Sequence, residues 1–128
     1  MTDAPATLSE LQRRLEVALE GLRHPPLGSV AALAEEVGEL SKLLVDHHCY
    51  GKAFDAEAFG DELADVFICL CELATLHAVD LEAATLRKTE KVATKAAGWR
   101  ADLGGALQRA WTRPYGDAVK PPKPASPG

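Results

Sequence analysis

Residues 56–79 read AEAFGDELADVFICLCELATLHAV, and their apolar members Phe59, Leu63, Val66, Phe67, Leu70 and Leu73 recur at helical spacing. That period, with Asp55 ahead of it as an N-cap, predicts a long amphipathic helix and not a strand. The longest apolar run of the chain, FICLCELATLHAV, lies inside this segment and is interrupted by Glu72, which points to a buried helix and not to a membrane crossing.

Working outward, Leu33, Val37, Leu40 and Leu44 place a second helix over about 29–46, stopping in the polar turn HHCYGK at 47–52. Before it, a capping-box pattern at Thr7-Leu8-Ser9-Glu10 opens a first helix with Leu8, Leu11, Leu15, Val17, Leu19 and Leu22, broken at His24-Pro25-Pro26. After it, Asp80 caps a fourth helix in which Leu81, Leu86 and Val92 alternate with Arg87, Lys88, Lys91 and Lys95. A weaker helix is expected over 101–111, and the Pro-rich text from Pro114 on predicts a flexible or extended tail over 113–128. The fold class is all-α, a four-helix bundle in one domain over 1–112.

With 128 residues, 47% hydrophobic and 26% charged, the chain has the length and balance of a single folded soluble domain. Fourteen basic against nineteen acidic residues leave a net charge of -5, which provides no electrostatic footprint for nucleic acid. Cys49, Cys69 and Cys71 are odd in number and read as buried free thiols of a reducing compartment. The start, MTDAPATLSELQRRL, has no cationic head followed by an apolar stretch, so a cytoplasmic protein with no membrane partner is expected.

The chemistry lies in the acids. Glu35-Glu36-Val37-Gly38-Glu39 on the second helix and Glu62-Leu63-Ala64-Asp65 on the third each contain an i,i+3 pair, which projects from one side of a helix about a turn apart. Glu36 lies three after Leu33 and four before Leu40, and Glu62 lies three after Phe59 and four before Val66, so both sit at the edge of an apolar stripe. Buried ionised carboxylates cost several kcal/mol each, at order of magnitude, unless something positive compensates them. A hard divalent ion, Mg²⁺ or Mn²⁺, suits such an all-oxygen set. A di-iron bundle would need Glu-x-x-His, and none of His24, His47, His48 and His77 has a glutamate three residues before it. Ser/His/Asp, P-loop and Rossmann patterns are also missing.

EEVGEL at 35–40 followed by GDELADVF at 60–67, with 22 residues between Glu39 and Glu62, resembles the EExxE…ExxD signature of the all-α NTP pyrophosphohydrolases. This MazG-like group also contains dimeric dUTPases and dCTP pyrophosphatase. The resemblance covers roughly 8–97 and looks closest to the dCTP-pyrophosphatase-like branch, where a histidine twelve residues before the second glutamate stands in an H-x-P context, here His24. Gly28 and Val92 stand where that branch has asparagines. The resemblance implies cleavage of a nucleoside triphosphate between the α and β phosphates. It implies Glu36, Glu39, Glu62 and Asp65 as metal ligands, with Glu35 orienting or deprotonating the attacking water. It also implies a homo-oligomer, a dimer or a tetramer, with sites near subunit contacts, and the apolar faces of so small a domain favour the same.

Lys88, Lys91 and Lys95 recur at three and four residues and are candidates for the phosphates. Among the few aromatic residues Tyr50 and Phe54 are candidates for stacking on a base, Phe54 being equally a hydrophobic staple, while Trp99 and Trp111 suit a C-terminal or subunit contact. The rival reading is a non-catalytic helical interaction module that binds a cation or nucleotide. On the enzyme reading Glu39→Gln abolishes hydrolysis and leaves the fold intact. Turnover measured beside circular dichroism checks this, and unchanged turnover removes Glu39 from the ligand set.

Overall fold

A computed structural model describes residues 4–112 of the chain. The tail expected over 113–128 lies outside the described residues. Within them all regular secondary structure is helical: α1 (Leu8–Ala18), α2 (Pro26–Tyr50), α3 (Ala56–Leu76) and α4 (Leu81–Thr112). By its internal contacts the chain divides into two units, one ending at Arg87 and the other beginning at Lys88, within α4.

Each helix start has a local cause. Thr7 Oγ1 accepts from the Glu10 N–H at 3.2 Å, while the Glu10 carboxylate meets Arg14 at 2.6 Å. Asp55 Oδ1 accepts from the N–H groups of Glu57 and Ala58, and Asp80 Oδ1 accepts from Ala83 N–H. These satisfy donors that a helix leaves unpaired in its first turn. Phe54, just before the Asp55 cap, packs its ring 5.4 Å from Phe59, which is the hydrophobic staple at this helix entry.

Two boundaries differ from the sequence expectation. α2 begins at Pro26, where proline's fixed φ suits the first helical position, and continues through His47, His48, Cys49 and Tyr50. It ends only at Gly51, whose φ of 68° is left-handed, with the Gly51 and Lys52 N–H groups returning to the Asp46 carbonyl. The histidine pair therefore sits in the last helical turn, with His47 Nδ1 on the Lys52 carbonyl at 2.8 Å. The fourth helix and the weaker helix expected over 101–111 are one continuous helix of 32 residues. Gly98, Gly104 and Gly105 lie inside it, each costing about 1 kcal/mol relative to alanine.

In the first unit α3 packs chiefly on α2 and also on α1. Its core is built from small residues: Cys69, Cys71, Ala74 and, from the first turn of α2, Ser29. Cys49, expected to be buried, is exposed, because the extension of α2 places it in the terminal turn. Small side chains allow helices to approach closely, and the larger apolar residues surround this seam half-buried. Ser29 Oγ has no hydrogen-bond partner within the described residues.

The turn between α3 and α4 is held by Gln12 of α1. Its Nε2 donates to the Val79 carbonyl at 3.0 Å and to Thr75 Oγ1 at 3.4 Å, and its Oε1 accepts from Leu81 N–H at 3.2 Å. Ser9 Oγ adds a bond to Glu82 Oε2 at 2.7 Å. Inside this turn Ala78 has φ of 53°, a conformation that costs an alanine about 1 kcal/mol. Ala78→Gly removes that strain, and thermal unfolding is expected to show a stabilised protein. A lowered midpoint would contradict the strain.

Candidate metal centre

The site is assembled where α2 faces α3. On α2 the half-buried Leu33 and Leu40 bracket Glu36, and on α3 the half-buried Phe59 and Val66 bracket Glu62. The apolar stripes that dock the two helices thereby bring both carboxylates to the interface, half-buried themselves, with Asp65 exposed one turn further along α3. One carboxylate oxygen from each of Glu36, Glu62 and Asp65 lies within 4.8 Å of the others.

Burial first, and then the charges of Asp65, Glu62, Glu35 and Glu39 in that order, push the Glu36 carboxyl above its ordinary range. No basic side chain among the described residues forms an ion pair with it. The ion pairs among the described residues are Glu10–Arg14, Glu16–Arg23 and Asp46–Lys52, and none involves the cluster. Cys69 lies seven residues after Glu62 and four after Asp65 on α3. Its thiol is pushed up by burial first and by Glu36 next, which keeps it protonated beside the acids. Cys69 is the neighbour that the reading for acids passed over, although its spacing from Glu62 and Asp65 was there to be read.

A hexacoordinate Mg²⁺ with oxygens at about 2.1 Å places opposite ligands about 4.2 Å apart. Neighbouring ligands of that shell lie about 3.0 Å apart, so side-chain adjustment from within 4.8 Å of one another would be needed to bring the three oxygens to one ion. The donor set fits: three hard oxygens, no thiolate, no imidazole, and an exposed side at Asp65 where water could complete the shell. No family model, curated protein or solved structure matches this chain.

Of the four ligands implied by the resemblance, Glu36, Glu62 and Asp65 come together, while Glu39 is exposed and stands outside that group, its charge still reaching Glu36. Glu35, the implied water-orienting residue, is exposed and likewise acts on Glu36. His24 is exposed in the link before α2. A side chain at Gly28 would lie 3.2 Å from the His24 Cβ, so glycine there permits the close approach of this link to the first turn. Tyr50 is exposed at the end of α2. Phe54 is partly exposed, with one ring contact to His47 at 5.4 Å and one to Phe59. Lys88, Lys91 and Lys95 are exposed on α4, in the unit that begins at Lys88.

A glutamate with a raised pKa holds its proton more tightly folded than unfolded. Its contribution to stability is therefore present at low pH and is lost as pH rises from the ordinary value of 4.5 through the folded one. At neutral pH in chelator, Glu36→Gln is expected to melt higher than the parent protein. The parent is expected to gain midpoint on adding Mg²⁺, and Glu36→Gln to lose that gain. A variant that melts lower and still responds to Mg²⁺ contradicts this placement.

Proposed function

We propose that this protein is a metal-dependent nucleoside triphosphate pyrophosphohydrolase, converting a nucleoside triphosphate to the monophosphate and pyrophosphate by attack of water on the α-phosphate. The observation that carries this reading is the convergence of Glu36 with Glu62 and Asp65 from two packed helices, with no side-chain cation among the described residues to neutralise them. The paired acidic motifs and the all-helical fold support a MazG-like four-helix arrangement, with a (deoxy)pyrimidine triphosphate of the dCTP/dUTP type as substrate.

Glu36, Glu62 and Asp65 would hold the ion, Mg²⁺ or Mn²⁺ in its place, and Glu39 would join them on closing. When bound, the ion supplies neutralisation of the triphosphate charge and a water of lowered pKa. Glu35, next to Glu36 on α2 and exposed, is placed to orient that water or take its proton. Lys88, Lys91 and Lys95 supply positive charge for the phosphate oxygens, the complement that phosphoryl chemistry requires opposite an acidic site. His24, Tyr50 and Phe54 hold base and sugar. The two buried thiols Cys69 and Cys71 suit a reducing, cytoplasmic setting. No helix among the described residues is long and apolar enough to cross a membrane. Exposed apolar residues along α2 and α3 support a homo-oligomer, a dimer or a tetramer.

The purified protein incubated with standard and modified nucleoside triphosphates, with Mg²⁺, with Mn²⁺ and with chelator, tests the reading by its products. Monophosphate and pyrophosphate formed only with metal are expected. Diphosphate and orthophosphate would mean a different bond and a different mechanism, and no turnover in any mixture would leave a cation-binding helical module.

A further inference from the structure

Along α1 the half-buried residues Leu8, Gln12 and Leu15, with Leu19 at the helix end, recur at four, three and four residues and form one stripe. Gln12 is its polar interruption. An amide in an apolar stripe is costly unless both of its ends are bonded. Here both ends are used, and all three bonds go to the stretch 75–81 where α3 gives way to α4.

That stretch closes α3 on a residue poorly suited to the task. The Val79 N–H returns to the Ala74 carbonyl at 2.8 Å and the Ala78 N–H to the Thr75 carbonyl at 3.2 Å, the bond pair of a helix end that turns through one left-handed residue. Glycine ordinarily takes that position, and here it is Ala78, with φ of 53°. Gln12 bonds the backbone directly after it, at the Val79 carbonyl and the Leu81 N–H. One turn earlier on α1, Ser9 Oγ fastens the same region through Glu82.

α1 in turn has little hold of its own. It is eleven residues long, shorter than helices that persist alone in water, and none of its residues is buried. Its packing is chiefly on α3. Each partner therefore supplies what the other lacks: the turn has no glycine at its left-handed position, and α1 has no buried face.

We propose that α1 is a latch on the α3–α4 turn: Gln12 holds Ala78 in its left-handed conformation, and α1 and residues 77–84 open and close as one unit while the α2–α3 seam stays shut. A polar residue kept within an apolar stripe gives up packing and fixes one arrangement. Elements with few buried contacts are the ones that open below global unfolding, and α1 with this turn meets that description. The latch is independent of the hydrolase reading, because none of its residues belongs to the metal centre.

Native-state hydrogen exchange of the full chain, followed by NMR at rising sub-denaturing urea, tests this with no substitution. The α1 amides and those of Ala78, Val79, Ala83 and Ala84 are expected to share one opening free energy and one urea dependence, both smaller than those of α3 amides at 62–70. Unlike urea dependences for α1 and the turn, or a single opening shared with 62–70, would overturn the proposal. Gln12→Leu completes the apolar stripe and removes the three bonds. The Ala78 and Val79 amides, which bond to α3 and not to Gln12, are then expected to exchange about tenfold faster while α1 stays protected. In an Ala78→Gly background, where glycine takes the left-handed position without strain, the same substitution is expected to speed them by about threefold or less. An equal effect in both backgrounds would mean that Gln12 does not act on Ala78, and would overturn the latch.

Discussion

The packing of α2 on α3 fixes where the Glu36 carboxylate sits. It stands half-buried at the seam of α2 and α3, facing Glu62 and Asp65, with further negative charge from Glu35 and Glu39 behind it. A protein gains nothing in stability from that arrangement. The apolar residues on either side hold the helices together, and the acids ride on their docking. Placing them there costs folding free energy, and under the proposed function a divalent cation would return it on binding, coupling folding to cation binding at one point.

Much of this was legible in the residues. The positions of Glu36 between Leu33 and Leu40, and of Glu62 between Phe59 and Val66, already placed both acids at the packed edge of their helices. Asp55 and Asp80 announced the starts of α3 and α4, and Phe54 was readable as the staple against Phe59. Other features needed the folded chain. Gly98, Gly104 and Gly105 each disfavour helix by a modest amount, yet three such penalties did not end α4, and the separate weaker helix expected over 101–111 is its continuation. The run from His47 to Tyr50 read as a turn because its residues are polar, whereas the helix stops only where Gly51 can turn left-handed. Ala78 in a left-handed conformation left no mark in the sequence, since the bonds that hold it there come from Gln12, far away along the chain. Cys49 and Cys69 show the same limit: the thiols look alike as text, and only the length of α2 separates the exposed one from the buried one.

Composition describes the chain as mildly acidic, and that average hides its organisation. The acids concentrate where the small-residue core and the carboxylate cluster lie, and the cations concentrate from Lys88 on. Under the proposed function a triphosphate would call on both signs, a cation held by acids and fixed positive charge, and the sequence carries the two in separate units.

Electron paramagnetic resonance of Mn²⁺ titrated into the full chain at neutral pH tests the central claim most directly, because free and bound Mn²⁺ give different signals and no turnover is needed. Loss of the free signal with saturable binding, much weakened in Glu62→Gln and in Asp65→Asn, is the result this account predicts. Mn²⁺ that stays free throughout, or binds equally to both variants, would contradict it.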